Sequence, residues 1–228
     1  MAMGNRFVAM VSLIAISALA ACSSPAPPRT APSTPVAAGA PAADGRSLIV
    51  AFGDSLTAGL GVGPDQNYPA KLQERIDREG FPYRVVNEGV SGETSAQGLA
   101  RATLIREMRP SVVILEFGAN DGLRGIPVEV TRSNLDRMIQ DFVADGARVV
   151  IAGMEVPPNY GPAYTSSFRA VYSELAKRHH APLIPFFLAG VGGVPELNQG
   201  DGIHPTPRGY DLVVENVWKV LVPLLVRS

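Results

Sequence analysis

Ser47-Leu48-Ile49-Val50-Ala51-Phe52-Gly53 is an unbroken apolar run of strand length that closes on a glycine. No polar residue alternates within it, so it reads as a strand covered on both faces, the pattern of a parallel sheet. Working outward, Tyr68, Leu72 and Ile76 recur every four residues with Gly80 as a stop, which predicts a helix. Residues 83–87 read as a second strand. Leu99, Ile105 and Met108 mark a second helix that ends before Pro110. Residues 111–118 (Ser-Val-Val-Ile-Leu-Glu-Phe-Gly) form the third and clearest strand. Pro127 opens a third helix at a position where proline is tolerated. Its apolar face is Leu135, Met138, Ile139, Phe142 and Val143, and Gly146 ends it. A fourth strand is expected over 147–152, and a fourth helix around Phe168, Val171, Tyr172 and Leu175. A short fifth strand follows over 183–187, with Phe186 and Phe187 assigned to the core. Tyr210, Val213, Val214, Val217, Trp218 and Leu221 mark a terminal helix, with Thr206 as its cap and Pro207 in its first turn. This alternation predicts an α/β fold, a three-layer α/β/α sandwich around a five-stranded parallel sheet.

Ligands on such sheets bind beyond the carboxyl ends of the strands. The loops to inspect are therefore 53–65, 89–95, 118–125, 153–164 and 188–205. The first holds Gly53-Asp54-Ser55-Leu56, which presents a serine at the rim of the sheet with little bulk around it. A serine there is either a turn or cap residue or a nucleophile, and a nucleophile needs a base. Gly59-Leu60-Gly61-Val62-Gly63 does not make a dinucleotide fingerprint, because its third glycine would fall on Pro64. The second loop holds Ser91-Gly92-Glu93-Thr94 and the third Gly118-Ala119-Asn120-Asp121-Gly122-Leu123-Arg124-Gly125. Together the three strand ends can supply the N–H of Ser55, the N–H of Gly92 and the Asn120 side chain as donors to an oxyanion. The last loop holds Asp201-Gly202-Ile203-His204-Pro205. His204 is one of three histidines, and Asp201 is placed to orient its ring. His179 and His180 fall in the last turn of the fourth helix, where a positive charge suits the helix dipole, and are read as structural. Asp54 is expected to buttress its loop, because adjacent residues in an extended segment point apart. Leu123, Arg124, Pro157, Asn159 and Tyr160 lie on neighbouring loops and are candidates to line an acyl pocket.

Composition narrows the function. Hydrophobic residues are 46 % and charged residues 18 % of 228, which excludes wholesale disorder. Twenty Lys and Arg against 21 Asp and Glu leave a net charge of −1, without the basic excess of a nucleic-acid binder. A single cysteine rules out an intramolecular disulfide and a Cys-rich zinc site. No apolar run reaches the roughly 20 residues of a membrane-spanning helix.

The first 46 residues read as lying outside the fold. Residues 1–21 have a basic start, an apolar stretch and small residues at the end, the layout of a secretory signal peptide. Leu19-Ala20-Ala21-Cys22 resembles the lipobox of bacterial lipoproteins, which implies lipidation of Cys22. The alternative is a cut after an Ala-x-Ala site that leaves a soluble protein. Acyl chains on Cys22 would anchor the protein at about 0.8 kcal/mol per buried methylene. Ser23 after the cysteine points to an outer-membrane lipoprotein facing the periplasm. The stretch 22–46, with six prolines and almost no large apolar residue, is expected to be an extended tether. Residues 47–228 make one domain, expected to be a monomer.

Gly53-Asp54-Ser55-Leu56, Ser91-Gly92-Glu93-Thr94-Ser95, the segment 118–125 and Asp201-Gly202-Ile203-His204-Pro205 together resemble the SGNH hydrolases, also called GDSL esterases and lipases. Ser55, Gly92, Asn120 and His204 match the four letters in order, and the last two segments resemble the thioesterase I, arylesterase and lysophospholipase branch. One departure is Ala119, where that branch often has glycine. The resemblance implies a flavodoxin-like fold and a Ser55–His204–Asp201 triad. It also implies an oxyanion hole of Ser55, Gly92 and Asn120, an acyl-enzyme intermediate, an acyl ester or thioester substrate, and no cofactor or metal. Gly-x-Ser-x-Gly is absent, which disfavours the larger α/β-hydrolase fold. Two alternatives remain at this stage. One is a non-catalytic binding lipoprotein on the same fold; the other is a metal-assisted hydrolase using Asp201 and His204.

Overall fold

The computed structural model describes Met1 and residues 45–227. The chain divides into two units, Met1–Val36 and Ala37–Ser228. Apart from Met1, the signal peptide expected at 1–21, Cys22 and the tether as far as residue 44 lie outside the described residues.

Five parallel strands form one sheet: β1 (Ser47–Gly53), β2 (Tyr83–Gly89), β3 (Val112–Glu116), β4 (Arg148–Ala152) and β5 (Leu183–Ile184). Their order is β2-β1-β3-β4-β5, so the strand order reverses between β1 and β3. A crevice opens at such a reversal. The register fixes what stands beside it. Gly53, the last residue of β1, lies opposite Gly89 at the end of β2 and Glu116 at the end of β3. Three strands therefore end level, and the loops that leave them start side by side.

The continuous apolar runs explain the sheet. Every residue of β1 after Ser47 and every residue of β3 is buried, which demands cover on both faces. The helices are α1 (Ser55–Ala58), α2 (Tyr68–Arg78), α3 (Ser95–Glu107), α4 (Ala119–Leu123), α5 (Val128–Ala144), α6 (Pro162–His179) and α7 (Pro207–Leu221). Helices α3, α5 and α6 pack side by side as one layer, and α2 and α7 as the other. Phe52 of β1 meets Phe117 and Phe142 edge to face at 4.9 and 5.8 Å, which seats α5 on the sheet. Burying such a ring contributes about 1.5–3 kcal/mol. Caps set the helix starts. Asn67 accepts from the N–H of Ala70 ahead of α2, and Thr206 from that of Gly209 ahead of α7.

Several boundaries differ from the sequence reading. Strand β2 runs two residues further, to Gly89, while β3 and β4 are shorter than expected. Strand β5 stops at Ile184, because Pro185 has no N–H to give to the ladder. Val143 is 47 % exposed and is not part of the α5 core face. It lies about 100° round the helix from Phe142, in the last turn. Two one-turn helices, α1 and α4, occupy segments read as loops.

Candidate active site

Ser55 is the first residue of α1, directly past the end of β1. Asp54 is the cap of that turn and its carboxylate accepts from the Leu56 N–H at 3.0 Å. The segment is therefore a helix start and not extended, yet Asp54 does brace the loop as expected. Its other oxygen accepts from Asn120 Nδ2 at 3.0 Å. Gly53 has to be glycine. A Cβ there would lie 2.2 Å from Thr57 Oγ1 and 2.6 Å from the Glu116 carbonyl oxygen.

His204 arrives from the opposite end of the chain. The Gln199 N–H donates to the His204 carbonyl oxygen at 2.7 Å. The Gln199 side-chain amide donates to Leu60 O at 2.7 Å and Pro205 O at 3.0 Å, which ties this loop to the segment after α1. Ser55 Oγ and His204 Nε2 share a hydrogen bond of 2.8 Å, and His204 Nδ1 lies 2.6 Å from Asp201 Oδ2. A carboxylate only accepts, so Nδ1 carries the proton and Nε2 presents its lone pair to the serine hydroxyl. Asp201 Oδ1 accepts from the N–H groups of Ile203 and His204 at 2.9 and 3.0 Å. Those backbone donors, with the imidazole, hold the Asp201 carboxyl down at about 2. It is ionised at neutral pH. Ser55, His204 and Asp201 are thus brought together in one hydrogen-bonded line. Such a line can take a proton from a hydroxyl as it attacks an acyl carbon.

Gly92 sits at φ +83, the left-handed region that favours glycine, and no protein acceptor is found for its N–H among the described residues. The same is true of the Ser55 N–H. Both amides are free to donate to a ligand. Asn120 differs. Its Nδ2 donates to Asp54 Oδ2 at 3.0 Å and to Glu93 O at 2.9 Å, so both of its protons already have acceptors. An oxyanion here would have to share one of them.

A mainly apolar cavity of about 400 Å³ is walled by Leu56 and Ile203, the chain neighbours of Ser55 and His204, and by Leu123, Met154, Pro157 and Phe186 among others. Of the residues expected to line it, Leu123 and Pro157 do. Arg124 does not, and instead donates to Gly92 O at 2.8 Å, which braces the Gly92 loop. Tyr160 does not either; its hydroxyl donates to Leu123 O at 2.7 Å from behind. Asn159 is exposed in the turn between them. Met154, Glu155 and Val156, from the loop after β4, add wall that the sequence reading did not expect. Phe186 is corrected from core to cavity wall. Only Phe187 is buried, 5.2 Å from the Tyr68 ring, because the strand has ended at Ile184 and the chain turns over 187–190, which takes Phe186 out of the core layer. Ala119 also faces the cavity. His179 pairs with Asp136 at 2.5 Å at the end of α6, away from these loops.

Two charged residues unremarked in the sequence stand beneath the site. Glu116, at the end of β3, is fully buried. Its Oε2 accepts from Thr57 Oγ1 at 2.7 Å and the Asp54 N–H at 3.2 Å, while Oε1 has no partner. Burial, then the neighbouring Asp54, pushes the Glu116 carboxyl well above the usual range. Burial also pushes Asp54 up, to about 6, against the pull of the Leu56 N–H and the Asn120 amide. The second is Arg101, whose guanidinium reaches the backbone of two strand ends. Among the described residues no group of three or more metal-ligating side chains is present.

Known proteins share this arrangement of fold and sequence. Residues 51–212 match the profile of the GDSL-like lipase/acylhydrolase family. The chain is 47 % identical to esterase TesA of Pseudomonas aeruginosa over 178 residues, covering 78 % of this chain and 89 % of that one. It is 37 % identical to the thioesterase 1/protease 1/lysophospholipase L1 of Escherichia coli, covering 78 % and 84 %. A crystal structure of TesA superposes with a TM-score of 0.76 at 47 % identity, over 79 % of this chain and all of that one. With a parallel sheet in flavodoxin-like order, a serine at the strand reversal and relatives that cleave esters at this level of identity, the chain belongs to the GDSL-like lipase/acylhydrolase family and is an ester-hydrolysing enzyme with small-molecule ester substrates.

Proposed function

We propose that the protein hydrolyses carboxylic acyl esters or thioesters through an acyl-enzyme on Ser55. The observation that carries this is the continuous line from Ser55 Oγ to His204 Nε2 at 2.8 Å and from His204 Nδ1 to Asp201 at 2.6 Å. The Ser55 hydroxyl oxygen attacks the acyl carbon as His204 takes its proton. The carbonyl oxygen, now negative, is received by the N–H groups of Ser55 and Gly92 and by an Asn120 proton released from sharing with Glu93 O. His204 hands the proton to the departing alcohol or thiol. Water then repeats the sequence on the acyl-enzyme and releases the acid. Asp201 stays charged throughout and stabilises the imidazolium.

The cavity beside Ser55 supports an acyl chain as the buried half of the substrate, with the leaving group toward solvent. The thioesterase and lysophospholipase named among the relatives fit that division. On the same reading the protein is exported by its first 21 residues and held at the envelope by lipid on Cys22. Ser55→Ala should lower the rate on p-nitrophenyl acetate by about 10⁴–10⁶. Equal rates would overturn the proposal and leave a different nucleophile or a binding role. Activity should persist in excess chelator. Its loss would favour a metal held by Asp201 and His204.

A further inference from the structure

We propose that Arg101 is the positioning residue of the oxyanion site, a single guanidinium that sets the spacing of the three donors. The inference rests on the catalytic reading above.

Arg101 projects from α3 under the ends of the strands, with its side chain only 16 % exposed. Its Nε donates to Glu93 Oε2 at 2.7 Å, and its Nη2 donates to Glu88 O at 2.9 Å and Gly53 O at 3.2 Å. Each acceptor stands next to a donor of the site. Gly53 is two residues before Ser55. Glu88 is the second-last residue of β2, just before the Gly92 loop. Glu93 follows Gly92, and its own carbonyl oxygen receives the Asn120 amide. The guanidinium carbon lies over the Phe52 ring, 4.5 Å from its centroid, and 5.9 Å from that of Phe117, so two aromatic faces also hold it in place. Gly53 O also accepts from the Val90 N–H at 3.0 Å, so the cation braces a junction that already links β1 to the Gly92 loop.

The physical need is plain. The carbonyls of Gly53 and Glu88 converge with a carboxylate at the point where the ladder ends. Without a cation they would repel one another and lose a hydrogen-bond partner in a poorly solvated place. The loops would then separate. A displacement of about 1 Å in a reacting geometry can lower turnover about 10²-fold. Lysine cannot substitute fully. Its ammonium is a point charge without the planar fork that meets three acceptors, and it does not stack on Phe52 in the same way.

The test compares Arg101→Met, Arg101→Lys and Ser55→Ala with the unchanged protein, using p-nitrophenyl butyrate and a short alkyl boronic acid as a mimic of the tetrahedral adduct. Arg101→Met should lose about 10² in kcat with KM within about twofold. The boronic acid should bind more weakly in parallel with the fall in kcat. Arg101→Lys should recover part of the loss, and the pH dependence of kcat/KM should keep its midpoint, because the Ser55–His204–Asp201 line is untouched. Full kcat in either Arg101 variant, or a fall in melting temperature alone, would overturn the proposal. So would a shifted pH midpoint, which would place the effect on His204. If Arg101→Met does not fold, Arg101→Lys alone decides by the same readouts. Residual activity in Ser55→Ala equal to the unchanged protein would mean instead that the catalytic reading fails.

Discussion

Replacing Asp201 by asparagine changes one atom and should nearly abolish turnover, for a reason visible in the loop. Asp201 Oδ1 accepts from two backbone N–H groups, of Ile203 and His204, while Oδ2 accepts from the imidazole. Asparagine has only one oxygen. If it keeps that oxygen toward the two backbone donors, its NH₂ faces Nδ1. The ring proton must then move to Nε2, where it points at Ser55 Oγ, and the serine loses its base. The opposite orientation restores the bond to Nδ1–H but sets the NH₂ against two N–H groups. Each lost hydrogen bond costs about 1 kcal/mol, more when the original acceptor was charged, so the productive orientation is the minor one. The variant also lacks the charge that stabilises the imidazolium. The expected loss in kcat is about 10⁴, near 5.5 kcal/mol of barrier. Because Asp201 is on an exposed loop, its melting temperature should move by only a few degrees. The assay is steady-state hydrolysis of p-nitrophenyl butyrate, with circular dichroism as the control for folding. A kcat within tenfold of the unchanged protein would refute the tautomer argument. In the unchanged protein Asp201, held down at about 2, contributes nothing to the pH profile above pH 4. A fall in activity on mild acidification therefore does not come from Asp201.

Two further outcomes follow from the buried carboxyls and the cavity. A carboxyl raised by burial stabilises the fold while protonated, fully below its unfolded value and less as pH rises through the folded one. For Asp54 that window runs from about 4 to about 6, and for Glu116 it extends higher. Glu116→Gln fixes the neutral form, so its melting temperature relative to the unchanged protein should rise as pH increases above the usual carboxylate range; a difference independent of pH would contradict this. Phe186→Ala should enlarge the cavity and move the preferred acyl length upward in a series of p-nitrophenyl esters from acetate to laurate, since each added methylene that finds room gains about 0.8 kcal/mol. An unchanged chain-length profile would place the acyl chain elsewhere.

What could be read from the sequence was what repeats or what is rare. The apolar runs of β1 and β3 and the four-residue spacing in α2 and α7 follow from burial, which acts on many residues at once. Ser55, Gly92 and Asn120 stood out in short loops just after such runs, and the register sets those three strand ends level; Asp201 and His204 stood out as an acid and a histidine three residues apart in a Gly/Pro loop near the end of the chain. What could not be read depends on single contacts. The one-turn helices at Ser55–Ala58 and Ala119–Leu123 are too short to carry a period. Phe186 and Phe187 differ only in which side of the segment they face. Glu116 lay in plain view inside an apolar strand, where an acid is expensive unless its surroundings hold it neutral. Arg101 gave no signal, because an arginine on a helix is ordinary until its partners are known.

The central claim is that Ser55 carries the acyl group between two steps, and it is tested most directly by trapping that species. The protein should be mixed with a slowly hydrolysed p-nitrophenyl ester, quenched within the first turnover and digested for mass spectrometry. The account predicts a burst of one nitrophenolate per chain, a single acyl group on the peptide that contains Ser55, and neither in His204→Ala. Turnover without a burst and with Ser55 unmodified at every time point, or an acyl group on another residue, would contradict it.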